Sequence, residues 1–212
     1  MAEKEISQAV IGRLPRYYRF LGDLKDQGKQ RISSQELSDI MKVTASQIRQ
    51  DFNNFGGFGQ QGYGYNIDYL HGEIGKILGL DREHKMILVG VGNLGHALLN
   101  YASFSLSGFS FVRAFDEKPA LEGKVIAGVT VSAAADLERF LETADVDIAV
   151  MAIPRANAQK VATRLVKCGI RAIWNFAPVD FEVPANVTVE HVHLQDSLMK
   201  LSYLAAHEKT GR

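Results

Sequence analysis

Gly90-Val91-Gly92-Asn93-Leu94-Gly95 decides how the larger part of this chain folds. It follows the apolar run Met86-Ile87-Leu88-Val89 and opens a helix-like pattern over residues 94–105. In that setting the first glycine permits a tight turn, the second lets a pyrophosphate approach the backbone, and the third lets helix lie against strand. The helix N-terminus then offers unpaired N–H groups to phosphates. Asp116 closes a second apolar run, residues 109–115, and is the acid such an arrangement sets on the adenosine ribose 2′-OH. A carboxylate there repels a 2′-phosphate, so the pattern reads as NAD(H) over NADP(H). A bare Gly-rich turn between strand and helix would carry the same glycines, but here strand, helix, strand and acid stand in register.

Working outward, short apolar strands alternate with helical patterns from Asp81 onward, which predicts parallel βαβ units. The expected strands are 86–91, 110–115, 125–131, 148–153, 170–176 and 187–192. The expected helices are 94–105, 133–142 with Ser132 as N-cap, and 156–167. Ligands bind outside the carboxyl ends of such strands. The loops at Gly90, Asp116, Pro154 and Asn175-Phe176-Ala177-Pro178 all leave strands at that edge. Residues 195–207 repeat apolar groups at Leu198, Leu201, Tyr203, Leu204 and Ala205, a helix too apolar to stay in water uncovered.

Residues 1–66 have another character. Ile6, Val10, Leu14, Tyr17 or Tyr18, and Leu21 recur at helical spacing, with Pro15 starting or interrupting the helix. Ser33-Ser34-Gln35-Glu36 fits a capping box opening a short helix with Leu37, Ile40 and Met41 inward. After a brief turn, Thr44-Ala45-Ser46-Gln47 is a second such box, opening a helix that buries Ala45, Ile48 and Phe52. Two short helices around a tight turn make a helix-turn-helix. The outward face of the second helix is Ser46, Gln47, Arg49, Gln50 and Asn53, and Arg and Gln side chains can read guanine and adenine edges in a major groove. A solvated helix face has the same composition. The Gly- and aromatic-rich stretch 55–65, with Gln60-Gln61 at its tip, has the makings of a hairpin wing. Residues 68–79 then form a connecting helix stopped by Gly79. The resulting division is a winged-helix unit with linker helix at 1–80, a Rossmann-type parallel-sheet unit at 81–194 and a C-terminal helix at 195–212.

Composition narrows the classes further. The 212 residues carry 24 Lys and Arg against 24 Asp and Glu, so total charge advertises no nucleic acid. Residues 1–66 hold nine basic against seven acidic groups and the remainder fifteen against seventeen, a slight basic bias toward the N-terminal unit. A single Cys168 makes no internal disulfide, the first residues lack an apolar leader, and no apolar run approaches a membrane span, all of which read as a cytosolic protein. His191 and His193 alternate along a strand, yet the sequence sets no Cys or carboxylate beside them at metal-ligand spacing, so no metal is expected.

Four stretches together resemble the Rex redox-sensing transcriptional repressors of bacteria. They are Arg13-Leu14-Pro15-Arg16-Tyr17-Tyr18-Arg19, Gln47-Ile48-Arg49-Gln50-Asp51-Phe52 with the wing, the Gly90–Gly95 turn with Tyr101 after it, and Ile153-Pro154 with Asn175-Phe176-Ala177-Pro178. The likeness runs through almost the whole chain in one order. It implies a homodimeric repressor that reads an inverted-repeat operator, senses NADH against NAD⁺, and passes its C-terminal helix across to the partner. It also implies DNA contacts from Arg13, Arg16, Tyr17, Ser46, Gln47, Arg49, Gln50, Gln60 and Gln61. Nucleotide contacts are implied for Gly90, Val91, Gly92, Asn93, Leu94, Gly95, Tyr101, Asp116, Ile153, Pro154, Asn175 and Phe176.

The physics of such a switch stands independently. Both cofactor forms share pyrophosphate and riboses, so the glycine turn and Asp116 bind them alike, and uniform binding shifts no equilibrium. Discrimination falls to the nicotinamide end, where a dry apolar pocket disfavours the cationic ring. Tyr101, Ile153, Pro154, Phe176, Ala177 and Leu194 are the candidates to surround it. Two departures from the family pattern stand out. Val192-His193-Leu194 replaces the usual Val-Asp-Leu, so the acid expected to join Tyr101 and Arg16 in the family's switch is a histidine, with Asp196 a possible substitute. The wing tip carries amides in place of a basic residue, and amides release no counterions.

The rival reading is an NAD-dependent dehydrogenase, which needs a proton donor near the nicotinamide. None of the seven tyrosines has a lysine four residues on, and residues 1–66 are already taken by the winged helix, leaving no room for a substrate domain. The chain is therefore read as a regulator, not an enzyme. A CoA-binding regulatory domain is a third option, against which Asp116 counts.

Overall fold

The structure, a computed structural model, describes residues 6–56 and 63–208, which divide into two compact units, Met1–Arg82 and Glu83–Arg212. Pro15 shapes the start of the first unit. Helix α1 (Gln8–Ile11) stops at Gly12, and α2 (Leu14–Asp26) begins with Pro15 in its first turn, where a missing N–H breaks no hydrogen bond. Strand β1 (Arg31–Ile32) follows, then α3 (Ser34–Met41), α4 (Ala45–Asn53), β2 (Tyr65–Asn66) and α5 (Ile67–Ile77).

The predicted capping box of α3 is present in full: Ser33 Oγ accepts from Glu36 N–H at 3.0 Å and Glu36 accepts from Ser33 N–H at 2.8 Å. Lys29 adds a hydrogen bond, and together these hold the Glu36 carboxyl down at about 2. Helix α3 ends with Lys42 in the left-handed region (φ 57°), and α4 starts three residues later, which makes the tight turn of a helix-turn-helix. Leu14, Tyr17, Leu21, Ile32, Leu37, Met41, Ile48, Phe52, Leu70 and Ile74 fill the core between these elements. Helix α5 ends in a Schellman motif, Gly79 donating to Lys76 C=O and Leu80 to Gly75 C=O, as the glycine stop at 79 predicts. Of the wing, β2 pairs antiparallel with β1, Ile32 opposite Tyr65. The tip residues Gln60 and Gln61 lie outside the described residues.

The second unit is a seven-stranded sheet of order β5-β6-β4-β3-β7-β8-β9. Its strands are β3 (His84–Val89), β4 (Phe109–Asp116), β5 (Val125–Ile126), β6 (Val129–Ala133), β7 (Ile148–Met151), β8 (Ala172–Asn175) and β9 (Thr188–His191). Helices α6 (Asn93–Leu99), α7 (Ser103–Leu106), α8 (Leu137–Leu141) and α9 (Ala158–Lys167) join them, and α10 (Leu194–Glu208) follows. All pairings are parallel except β5 with β6. Apolar clusters cover both faces: Ile87, Val89, Phe115 and Ala149 with α8 and α9 on one, Met86, Leu88, Ala114 and Val150 with Leu99 on the other. This is the doubly wound Rossmann arrangement, and its strand order reverses between β3 and β7.

Three predicted elements differ. The single strand expected over 125–131 is a hairpin, because Ala127 (φ 48°) and Gly128 (φ 83°) take the positive φ values of a type I′ turn. The helix expected over 94–105 breaks after Leu99, where the Asn100 amide turns back to His96 C=O at 2.8 Å and competes with the helical pattern. Ser132 is no N-cap: it pairs with Phe115 in the sheet, which runs on through Ala133 before α8 begins.

Candidate nucleotide cleft and nucleic-acid interface

The glycine turn leaves β3 at the reversal point of the sheet. Gly90 takes φ 98°, and a Cβ there would run into the Ala152 carbonyl and the Ile153 side chain. A Cβ on Gly95 would overlap the Gly90 carbonyl oxygen, so that glycine sets how closely α6 lies on the turn. Gly92 differs: a Cβ would meet nothing within 4 Å. That open space belongs to a cleft of about 230 Å³ whose walls include Gly90, Gly92, Asp116, Lys118, Ile153 and Pro154. Gly92 is also the N-cap of α6 and supplies no side-chain acceptor, so the first N–H groups of the helix remain available.

Asp116 ends β4 beside this turn. Its Oδ2 accepts from Val91 N–H at 2.6 Å and its Oδ1 from Lys118 N–H at 2.8 Å. Each oxygen keeps a lone pair for a ribose hydroxyl. Val91 is buried and Asn93 is exposed, and the cleft walls include neither of them. Arg164 also lines the cleft, paired with Glu138 (Nη2 to Oε2 2.6 Å) and bonded to Ala134 C=O. Sequence reading missed it, because nothing in the α9 pattern distinguishes a cleft arginine from a surface one.

The remaining nucleotide candidates separate. Ile153 and Pro154 line the cleft. Tyr101 is 56 % exposed on the break between α6 and α7, its ring 4.8 Å from that of Phe104, and is not the core tyrosine its helical position would suggest. Asn175 is buried and organises its own loop, accepting from Ala177 N–H and donating toward the carbonyls of Ala177 and Val179. Phe176 packs on Trp174, Ala177 is buried and Leu194 is exposed. His193 bonds Asp180 at 2.8 Å, a partner the sequence did not suggest, and His191 lies 3.2 Å from the same oxygen. The expectation that no carboxylate accompanies the two histidines is thereby corrected.

In the first unit, Ser46, Arg49 and Gln50 are exposed along α4, and Arg49 donates to Ser34 Oγ at 2.9 Å with other guanidinium N–H groups left over. Arg16 is exposed, its guanidinium 5.6 Å from the Phe20 ring centre. Three candidates are otherwise engaged. Asp51, fully buried on α4, receives Arg13 Nε and Nη2 at 2.7 Å each, Tyr17 O–H at 2.8 Å and Gln47 Nε2 at 2.8 Å. Burial alone would raise the pKa of Asp51, but these hydrogen bonds outweigh it and hold the carboxyl below its usual value. Tyr17 is wholly buried, and burial with its Asp51 bond drives its pKa upward. It supports α4 from beneath and does not reach a groove, which corrects its assignment as a DNA contact. The second capping box is half formed: Thr44 Oγ1 accepts Gln47 N–H at 3.1 Å, but the Gln47 amide side chain turns to Asp51.

A helix-turn-helix unit with an exposed polar recognition face, followed by a Rossmann unit with a dinucleotide turn, defines the class of ligand-responsive transcription regulators. Redox-sensing transcriptional repressors Rex of Clostridioides difficile and Thermoanaerobacter pseudethanolicus are 56 % and 52 % identical to this chain, covering 99 % and 97 % of it and 100 % and 92 % of their own lengths. The chain belongs to the Rex family of redox-sensing transcriptional repressors. Residues 5–53 match a family model described as a putative DNA-binding protein N-terminus, and residues 81–179 one described as a CoA binding domain. Among solved structures, RSP, a Rex-family repressor, superposes with a TM-score of 0.91 at 49 % identity, covering 98 % of this chain and 97 % of that one. The same repressor in complex with β-NAD⁺ and operator DNA gives a TM-score of 0.92 at 52 % identity, covering 98 % and 95 %.

Among the described residues, no helix is long and apolar enough to cross a membrane.

Proposed function

We propose that this chain acts in the cytoplasm as a homodimeric repressor whose winged helices bind the halves of an inverted-repeat operator and whose Rossmann unit takes NAD(H), NADH releasing the DNA. The observation that carries the reading is the pairing of Gly92, open toward the cleft, with Asp116 at the end of the neighbouring strand. It fits a dinucleotide: the pyrophosphate lies along the Gly90–Gly95 turn and the ribose on Asp116. Solved complexes of RSP, one with β-NAD⁺ and operator DNA and one with β-NADH, support it by likeness. Ile153 and Pro154 supply the apolar wall that disfavours a charged nicotinamide. By linkage, NADH must weaken operator binding by the factor by which operator weakens NADH binding. Fluorescence anisotropy of a labelled fragment of the chain's own promoter, titrated with NADH at fixed NAD⁺, tests this. Operator affinity that ignores NADH at saturating levels would overturn it.

Asp116→Ala removes a bond to a ribose that both cofactor forms carry. NAD⁺ and NADH affinities should each fall by about 1.5–3 kcal/mol with their ratio nearly unchanged. Calorimetry on both nucleotides reads the outcome, and a loss confined to one form would place Asp116 elsewhere.

Every residue from Leu194 to His207 of α10 is exposed, including Leu198 (65 %), Leu201 (58 %) and Leu204 (47 %). So large an apolar face on one chain marks an association surface, and we assign it to the dimer. A chain ending at His193 should sediment as a monomer at concentrations where the full chain is a dimer. A truncated chain that stays dimeric would move the interface off α10.

A further inference from the structure

Outside the cleft walls, Asp180, His191 and His193 come together beside the last strand of the sheet. Asp180 sits in the loop after β8, His191 ends β9, and His193 immediately precedes α10. Alternation along the strand turns both imidazoles to one side, their rings 6.0 Å apart and 9° from parallel. Phe181 packs against His191 at 5.2 Å and helps fix its ring.

Asp180 Oδ1 lies 2.8 Å from His193 Nε2 and 3.2 Å from His191 Nδ1, and one ligand atom from each residue falls within 4.8 Å of the others. Metal–ligand bonds of about 2.0–2.2 Å in a tetrahedron set neighbouring donor atoms roughly 3.3 Å apart. The cluster is already close to that spacing.

The neighbouring amide suits a metal-binding His191. Asn175 Oδ1 accepts from Ala177 N–H at 3.0 Å, and its Nδ2 faces Ala177 C=O at 3.2 Å and Val179 C=O at 2.9 Å, so its orientation is fixed. That same Nδ2 stands 3.0 Å from His191 Nδ1. With Nδ1 unprotonated, His191 accepts from that amide and presents the bare nitrogen that a metal requires. A bare nitrogen 3.2 Å from a carboxylate oxygen sets two acceptors face to face. A cation between them turns that opposition into coordination. Asn175 has two hydrogens for three acceptors and can release the imidazole while keeping both carbonyls.

We propose that Asp180, His191 and His193 form a zinc-type divalent metal site with two imidazole ligands, one carboxylate and a coordination position left to solvent. Two imidazoles favour zinc, cobalt or nickel over magnesium or calcium. A metal held here would tie the loop after β8 to the residue from which α10 departs.

The test uses the full chain without an affinity tag, stripped with a chelator and titrated with Zn²⁺ against a chromophoric competitor. One zinc per chain is expected, uncompeted by excess Mg²⁺. Asp180→Asn, His191→Gln and His193→Gln should each weaken zinc at least about tenfold, since even residues behind the ligands are worth that much, while Cys168→Ser should bind as the parent does. Circular dichroism checks that the variants are folded. X-ray absorption of the zinc-loaded parent should show two imidazoles. Variants that keep the parent's affinity, or fewer than two imidazoles on the metal, would overturn the site.

Discussion

Replacing Asp51 by Ala is expected to destabilise the N-terminal unit by about 3–5 kcal/mol, the range for breaking a buried ion pair by removing one partner. The size follows from what is left behind. Arg13 loses both ends of a bidentate bond, and the hydroxyl of Tyr17, wholly buried, loses its acceptor. Arg13 retains 27 % side-chain exposure and can turn part of its charge to water, but Tyr17 has no such route. Hydrogen exchange over the α4 peptides of the full chain reports this unit locally, whereas the single Trp174 reports the other. Operator affinity should fall with it, because α4 is held at Asp51. A stability loss under about 1 kcal/mol would mean that the four hydrogen bonds contribute little beyond replacing water.

The same group gives a pH dependence of definite sign. The folded pKa of Asp51 is depressed, so its contribution is complete above the ordinary carboxylate value of about 3.9 and is lost as pH falls through the folded value. Acid exchange of α4 should therefore begin only below about pH 4. In Asp51→Asn that component should vanish.

How much of this was legible depended on whether the controlling interaction was local. The Ser33 box could be read because N-cap and partner lie three residues apart, and Gly79 because a glycine ending an apolar helix has one common use. The Rossmann turn was legible for a related reason: Gly90 answers a positive φ and Gly95 a close approach within the turn itself, while Gly92 is open toward the cleft. Gln47 was half legible, since Thr44 caps its N–H locally but its side chain answers to Asp51, whose other partners lie across the unit at Arg13 and Tyr17. Asp180 was not legible beside His191 and His193, because only the pairing of β8 with β9 sets that loop against the strand end. The hairpin at Ala127-Gly128 was missed for a simpler reason: an apolar run with one glycine looks like a strand until an alanine is seen to accept positive φ.

Gly92→Ala and Gly95→Ala should separate ligand approach from packing within a single turn. At Gly95 an added Cβ overlaps the Gly90 carbonyl oxygen, backbone that cannot move without pulling α6 off β3, so a loss of about 3 kcal/mol or more is expected. Nucleotide binding then fails together with the fold. Gly92 has φ −77°, which alanine adopts freely, and its Cβ would meet no protein atom within 4 Å. Stability should stay level or rise by about 0.4–1 kcal/mol, because alanine restricts the unfolded chain. The methyl would nonetheless project into the space where a pyrophosphate must touch backbone, and an overlap worth about 1–3 kcal/mol corresponds to roughly 5- to 150-fold weaker NADH. Thermal unfolding beside NADH calorimetry on both variants reads the two effects apart. A Gly92→Ala protein that is stable and binds NADH as the parent does would show that the phosphates do not lie on this turn.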